Sequence, residues 1–497
     1  MRTHNTENSY FFRKQTPDSE QNAPEKHDDR HISVLRHVNC IFKSNEYNGT
    51  NHSSMTKKSI LTRTAGIAAT ALMLAWPSPA TAADEPAKKP LTLDRAIHLV
   101  RENNPALKAV AEEITAADAR ITQSRSAYFP QISASAGYTW LDTVSKMSFG
   151  NSGEIQFMPN DNYDAKVTAR ATLLDFGKRG TNVNLAKSGK KTAEESLELA
   201  RRELSFQTVQ LFYGILFLRE NLRVEEKEIA SLNKALDYTT KRYQAGSATR
   251  FDVLSTEVRI AAARNRTLDI EHELRRSELT LRRLTGIAEN TTLALQGSFA
   301  LTPTASDNSG LVAQALEQRL ELQLSRENER AAKLHRSLAM KQGVPIVTGS
   351  ISYGVTNGYQ PDINEMRNNV AAGLHLEIPL FTGFRTSAER QESNAMMRAA
   401  TQRRIDTEQQ VKTDVEESLH ALQTASEKIT TTEVQVQQAE LAARHVRARY
   451  ENGMATALDL LDTEASLSQA ELARLQAAYA YVMSNYTLKR VTGEVFW

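Results

Sequence analysis

The sequence has little cysteine, no long apolar segment and no excess of charge of one sign. Its 497 residues contain a single cysteine, Cys40, so neither a disulfide framework nor a thiolate metal site is expected. The longest apolar run, at 65–76, is shorter than the roughly 20 residues that a membrane-spanning helix needs. Because 61 Lys and Arg residues balance 59 Asp and Glu residues, the overall charge gives no reason to expect nucleic acid as a partner.

The signature motifs of common enzymes are missing as well. The sequence has no Gly-Lys-Ser/Thr phosphate loop, no His-Glu-x-x-His and no Gly-x-Ser-x-Gly. His375 and Glu377 occupy alternate positions of a predicted strand, and we interpret them as polar residues facing water rather than as metal ligands. We therefore expect a protein that is not an enzyme and that uses no cofactor and no metal.

The apolar run at 65–76 has the surroundings of a secretion signal. Basic residues precede it, and Ala-Thr-Ala at 80–82 follows it. A basic start, a short apolar middle and an Ala-x-Ala end are typical of a signal peptide. We place this signal at 55–82 and interpret 1–54 as a disordered extension upstream of the true translation start at Met55. The mature chain would then contain no cysteine.

A long internal repeat organises the rest of the sequence. Residues 171–286 return without a gap as residues 378–493, always 207 positions later. Such an offset indicates a duplicated structural unit, with copies at 83–286 and 311–497 and a linker at 287–310. The clearest matches are Arg242-Tyr243, Gly246, Ala248-Thr249, Asp252 and Leu254, which recur as Arg449-Tyr450, Gly453, Ala455-Thr456, Asp459 and Leu461.

Each copy predicts two strands in which apolar and polar residues alternate. In the first strand, for example, Ile132, Ala134 and Ala136 alternate with Ser133 and Ser135. One apolar and one polar face is the pattern of a barrel strand between lipid and water. We place the four strands at about 130–142, 163–175, 345–357 and 369–381. The two copies differ in length between their strands, and we locate this difference in the connections near 145–162 and 357–368.

Helices surround the strands in both copies. Residues 93–128 and 311–342 have helical apolar spacing, and Pro105 is expected to break or kink the first of them. Proline-free stretches at 181–245 and 386–451 predict helices on the order of 100 Å long.

A tight turn ends each long helix, at about 244–252 and 451–459. Glycine stops the helix, and threonine followed by aspartate three residues later caps the next one. Each copy therefore ends in a helical hairpin. The stop and cap residues are Gly246, Thr249 and Asp252 in the first copy and Gly453, Thr456 and Asp459 in the second.

The number of strands predicts an oligomer. Four strands cannot close a barrel with a lumen, and open strand edges are not tolerated in hydrocarbon. The simplest cyclic solution is a homotrimer in which each chain supplies four strands of a 12-stranded barrel. The helical hairpins would then form a tube that continues from the barrel.

The chain resembles the outer-membrane efflux protein family, the TolC-like channels. The resemblance covers about 91–497 and is carried by the hairpin turns at 242–254 and 449–461 and by the strand exits at 173–179 and 379–385. It implies an α+β membrane protein, a trimeric outer-membrane β-barrel with a periplasmic α-helical tunnel. It also implies a passive exit duct of a tripartite efflux or type I secretion system. The partners would be outer-membrane lipid, a periplasmic adaptor and an inner-membrane pump that supplies the energy.

The resemblance also implies residue roles at the helical ends. Asp459 and Asp462 match an acidic ring at the tunnel constriction, and Asp252 and Tyr450 match positions that link neighbouring hairpins in the closed state. Ala455 stands where the family link has an arginine, so Arg250 is the nearby candidate for that role. The residues that we predict to form the hairpin tips and the adaptor contact are Gly246, Thr249, Leu254, Gly453, Thr456 and Leu461.

Simpler interpretations stand beside these roles. Asp252 and Asp459 are also explained as helix caps, and Tyr450 as a packing residue of its hairpin. For the whole protein, the alternative is a periplasmic coiled-coil adaptor, which also uses long helical hairpins.

Overall fold

The computed structural model describes residues 90–148, 150, 154–288, 293–299 and 310–496. The predicted N-terminal extension and signal peptide at 1–82 lie outside the described residues, as does part of the predicted linker. The described chain is rich in helices and carries one four-stranded sheet, which agrees with the predicted α+β fold class.

The two halves of the chain follow the same order of elements. The first half contains α1 (Leu93–Asn103), α2 (Pro105–Ser126), β1 (Gln131–Trp140), β2 (Lys146–Ser148), β3 (Glu154–Gln156), β4 (Asp161–Leu174), α3 (Lys178–Gln244) and α4 (Arg250–Thr285). The second half contains α5 (Leu311–Gln318), α6 (Leu320–Met340), β5 (Ile346–Thr356), β6 (Arg367–Glu377), α7 (Arg385–Glu451) and α8 (Ala457–Thr492).

The opening helix of each half is broken, and only the first break was predicted. Asn104 separates α1 from α2, and its side-chain oxygen caps the amide of Ala106 at 2.9 Å. The prediction of a single helix over 311–342 is wrong, because Arg319 leaves the helical conformation between α5 and α6. Here the chain passes so close to Gly493 that a β-carbon on this glycine would lie 2.9 Å from the backbone of Gln318.

The sheet order is β1-β4-β5-β6, and every neighbouring pair is antiparallel. The register aligns the apolar residues of all four strands on one face, and one such row is Ile132, Ala169, Ile351 and Ala372. The next row, on the opposite face, is Ser133, Thr168, Ser352 and Ala371. A register shift at Thr172 and Leu174 interrupts β4 near its end.

The length difference between the two copies lies at the end of the sheet where β1 connects to β4. This connection contains the small hairpin formed by β2 and β3, which pairs Lys146 with Gln156. The connection from β5 to β6 in the second copy is shorter and contains no strand among its residues, all of which the structure describes. The extra residues therefore form a separate two-stranded sheet and leave the register of the four main strands intact.

The long helices hold the two halves together. Helix α3 packs against α2, α4, α6 and α8, whereas α7 packs mainly against α6 and α8. Buried apolar clusters follow these contacts, one around Ile215 and Leu281 and another around Val411 and Val415. Across the described part of the chain, no helix has both the length and the apolar character needed to cross a membrane.

Candidate functional site

The turns at the ends of the two hairpins have the same geometry. The amide and hydroxyl of Thr249 donate to Oδ2 of Asp252 at 2.8 and 2.7 Å, and the amide of Asp252 donates back to Thr249 at 3.2 Å. Thr456 and Asp459 form the same reciprocal capping box, with distances of 2.9, 2.7 and 3.1 Å. The glycines Gly246 and Gly453 adopt φ values of 72° and 75°, which a residue without a side chain accepts without strain.

Capping also favours the ionised form of the aspartate in the second turn. The hydrogen bonds from the amide and hydroxyl of Thr456 hold the pKa of Asp459 below its usual value. Its carboxylate, ionised at neutral pH as any exposed aspartate is, therefore keeps its charge to lower pH while it completes the cap. The capping role and a role in the predicted acidic ring are compatible, since one oxygen accepts both bonds.

Removal of the second cap provides a first test of the local geometry. Thr456→Ala deletes the oxygen that caps α8, and we expect the first turn of α8 to lose about 1 kcal/mol of local stability. Hydrogen exchange measured by mass spectrometry should then be faster in this turn. Thr463→Ala is the matched control, because the Thr463 hydroxyl bonds only a carbonyl of its own helix. Equal exchange in the two variants would contradict the capping role.

The next acidic residue, Asp462, is joined to the other hairpin. Its Oδ1 accepts a hydrogen bond from Nη2 of Arg259 at 2.6 Å, and Nη1 of Arg259 donates to the carbonyl of Leu461 at 3.2 Å. Arg259 thus links α4 to α8 within the chain, and the closed-state role suggested for Arg250 remains a prediction. Arg259 lies beyond the matching turn motif, so the motif alone could not identify it.

Tyr450 is buried at the contact between the hairpins, with 2% of its surface exposed. Its hydroxyl is hydrogen-bonded to the hydroxyl of Thr239 on α3 at 2.7 Å, and the guanidinium of Arg242 lies 5.2 Å from its ring centre. Tyr238 donates to the carbonyl of Glu451 at 2.5 Å. Asp252 and Tyr450 therefore have different partners within one chain, and their link between hairpins remains a prediction.

The two leucines predicted for the tip contact differ in burial. Leu461 is 3% exposed and packs with Leu232 and Ile260, whereas Leu254 is 47% exposed. Of the six predicted tip residues, only Leu461 is buried by the chain itself.

The sheet forms the second functional surface. Its apolar face is open, and Leu374 and Ile132 are 77% and 73% exposed. The opposite face carries polar side chains that include Lys166, Arg170 and His375. Within the described residues, no group of three or more His, Cys, Asp or Glu side chains is arranged to hold a metal.

Both edges of this sheet are open. In the described chain, β1 has a sheet neighbour only in β4, and β6 only in β5. A duplicated unit with long hairpins and a two-faced sheet with open edges is the architecture of a membrane channel rather than of an enzyme.

Comparison with known proteins agrees with this class. The profile of the outer membrane efflux protein family matches residues 96–287 and 311–494, so the chain belongs to this family. It is 24% identical to the outer membrane protein TolC of Vibrio cholerae over 399 residues, which cover 79% of this chain and 88% of that protein. It is 22% identical to the pyoverdine export outer membrane protein OpmQ of Pseudomonas putida, over 78% of this chain and 84% of that protein.

Solved structures show the same fold. The outer membrane protein VceC of Vibrio cholerae superposes with a TM-score of 0.69, with 22% identity, 82% coverage of this chain and 97% coverage of that one. The predicted family is thus confirmed, and with it the expectation of a transport channel that is not an enzyme. The protein is an outer-membrane efflux channel, and its location is that of its family, in the outer membrane and extending into the periplasm. The alternative of a periplasmic adaptor is wrong, because both halves of the chain match the outer membrane efflux protein family.

Proposed function

We propose that three copies of this chain form the exit duct of a tripartite efflux or type I secretion system. Their strands would close a 12-stranded barrel in outer-membrane lipid, and their helices would form a tunnel that receives substrate from a periplasmic adaptor and an inner-membrane pump. The export role in the name of the OpmQ relative supports a function of this kind. The observation that carries the trimer is the pair of open edges on the four-stranded sheet.

The direction of the edges suits cyclic closure. Because every pair in the order β1-β4-β5-β6 is antiparallel, β1 and β6 run in opposite directions. When β6 of one chain lies beside β1 of the next, the new pair is also antiparallel, and the pattern repeats around a ring. Closure satisfies the backbone groups that hydrocarbon would leave unpaired.

The apolar face has the dimensions of a lipid-facing band. β1 has 10 residues, and at about 3.4 Å per residue and a tilt of about 40° it spans roughly 25 Å along the membrane normal. Exposed aromatic residues mark both ends, with Tyr138 and Trp140 at one end and Phe381 and Phe384 at the other. Aromatic side chains at both rims are typical of outer-membrane barrels.

In this arrangement the hairpin turns lie at the far end of the tunnel. Asp459 and Asp462 of three chains would place six carboxylates near the axis, where they favour cations. Gly246, Thr249, Leu254, Gly453, Thr456 and Leu461 would form the end that an adaptor contacts. The two copies, 83–286 and 311–497, would act as alternating sectors of one wall.

Cysteine cross-linking between sheet edges tests the trimer. Ser133→Cys or Ser135→Cys on β1, combined with Ala371→Cys or Gly373→Cys on β6, should give disulfide-linked dimers and trimers, because paired strands bring β-carbons to about 5 Å. Thr168→Cys on β4 with the same β6 partners is the control, since β5 separates these two strands within a chain. The mass of the purified protein in mild detergent should correspond to three chains. A monomeric mass without linked products would contradict the proposal.

A further inference from the structure

The two halves of the chain meet beyond the sheet along α3 and α6. Helix α3 follows β4 and α6 precedes β5, so this helix contact continues the central strand pair of the sheet. Close to the sheet, Lys178 on α3 donates to Gln342 at 2.7 Å. A further polar contact between the two helices is made by Lys191, about 20 Å along α3 from Lys178. This second contact therefore lies well outside the sheet.

One ammonium group serves two carboxylates at this contact. Nζ of Lys191 donates to Oε1 of Glu327 on α6 at 2.5 Å and lies 3.6 Å from Oε1 of Glu195, one turn further along α3. Nη1 of Arg330 is more distant, at 3.7 Å from the same Glu327 oxygen. The side chains of Glu327 and Glu195 are 8% and 13% exposed, whereas that of Lys191 is half exposed. The contact thus encloses more negative than positive charge.

The second oxygen of each carboxylate has no hydrogen-bond donor. Oε2 of Glu195 and Oε2 of Glu327 are both buried, and among the described residues neither accepts a hydrogen bond. Such an oxygen is costly, because burial removes its water and no other donor replaces it. A proton on one of the two carboxyl groups would supply the missing donor and would also remove the excess charge.

The charges around Glu195 favour its protonated form. Burial is the largest influence and raises the pKa of Glu195, and the nearby charges of Glu327 and Glu194 raise this pKa as well, while Lys191 opposes them. Helix α2, which also packs against α3, presents Asp118, but this carboxylate is paired with another lysine of α3 at 2.8 Å. Glu195 is therefore the carboxyl group at this contact that is best placed to hold a proton.

The fold does not require the second acid at this contact. At the offset of 207, the counterparts of Lys191 and Glu195 are Arg398 and Gln402. At the helix offset of 215, the counterpart of Glu327 is Glu112. The equivalent set of residues therefore contains one base and one acid, with an uncharged amide at the position of Glu195. The excess carboxylate belongs to the contact between α3 and α6 and not to the duplicated unit in general.

We propose that Glu195 and Glu327 form a proton-binding site that tightens the contact between α3 and α6 as the periplasm becomes acidic. The Glu195 carboxylate takes up a proton from water, and the O–H group that forms donates to the Glu327 carboxylate. Lys191 balances the one negative charge that remains. All of these groups belong to one chain, so the inference does not depend on the proposed trimer.

The direction of the pH dependence follows from the raised pKa. Because the folded chain holds this proton more tightly than the unfolded chain, the contribution of Glu195 is fully present below the ordinary glutamate pKa of 4.5. It is lost as the pH rises through the raised pKa of Glu195. Mild acid is therefore expected to strengthen this contact, whereas an ordinary salt bridge weakens when its carboxylate is protonated.

Hydrogen exchange of the purified full chain tests the site. After correction for the intrinsic pH dependence of exchange, the amides of 188–198 and 322–332 should exchange severalfold more slowly at about pH 5 than at about pH 7. Glu195→Gln gives the site the composition of the second copy, and its exchange should be slow at both pH values. Glu194→Gln removes an exposed neighbouring carboxylate and, as the matched control, should keep the response. A response that persists in Glu195→Gln, or that is absent from the unaltered protein, would overturn the proposal.

Infrared spectroscopy can detect the proton itself. Between about pH 5 and pH 6 most ordinary carboxyl groups are ionised. The difference spectrum of the unaltered protein and Glu195→Gln should then contain the C=O stretching band of one protonated carboxyl group. Lys191→Gln removes the shared ammonium, so this band should persist to higher pH. If the band is missing from both the unaltered protein and Lys191→Gln, both carboxylates are ionised and the proposal is wrong.

Discussion

Replacement of Leu374 by arginine is expected to remove the protein from the outer membrane. Leu374 lies on the open apolar face of β6 opposite Gly349, and it is one of the most exposed apolar side chains of the sheet. An arginine on the lipid face costs about 2–4 kcal/mol near the bilayer midplane, and the proposed trimer would incur this cost three times. The amount of assembled trimer in an outer-membrane fraction should therefore fall to background.

The neighbouring position provides the control for this prediction. His375 is adjacent in the chain but lies on the opposite face, in the row with Thr348 and Thr172. His375→Arg adds the same side chain to the same strand, and we expect normal trimer levels because this face meets water in the proposed barrel. Normal levels of Leu374→Arg, or equal losses in both variants, would contradict the assignment of the two faces.

The alternation within single strands was sufficient to predict two faces, but it could not determine how the strands pair. The register that joins Ile132, Ala169, Ile351 and Ala372 depends on contacts between distant parts of the chain. The β4 register shift near Leu174 depends on the same contacts, because strand periodicity reports only which side a residue faces.

The repeat contained more information than the helix prediction used. At the offset of 215 between the opening helices, Asn104 corresponds to Arg319, so the first break predicts the second. Arg319 has no proline after it, and the local signal is therefore weak. The break is instead stabilised by tertiary contacts, since the Arg319 guanidinium donates to Asp414 and Glu321.

At the hairpin ends, too, the sequence predicts the local contacts but not the contacts between distant residues. The capping boxes depend on residues three positions apart, so the sequence predicts them directly. The partners of Tyr450 and Asp462 are Thr239 and Arg259, which lie more than two hundred positions away. Such pairs arise only when the two hairpins pack side by side, and no local pattern indicates them.

Neutralising the acidic residues at the hairpin end should have the second large effect. The cap lowers the pKa of Asp459 further below its usual value, and Asp462 is exposed with one oxygen bonded to Arg259. In the proposed trimer, Asp459→Asn with Asp462→Asn removes six negative charges near the axis. We expect the ratio of cation to anion permeability, measured from reversal potentials across planar bilayers in a salt gradient, to fall severalfold toward unity.

Removing the arginine beside Asp462 should shift the selectivity in the opposite direction. Arg259→Gln removes a positive charge that offsets the carboxylate, so cation selectivity should rise, and this rise should disappear when Asp462→Asn is added. Asp269→Asn, an exposed residue further along α4, should change selectivity less because it lies away from the constriction. Charge of either sign within about 8 Å of the ion path acts at physiological salt, which makes opposite shifts from Asp462 and Arg259 a sensitive test of position. Selectivity that stays constant in all these variants would place both residues away from the ion path and would leave Asp459 with capping as its only role.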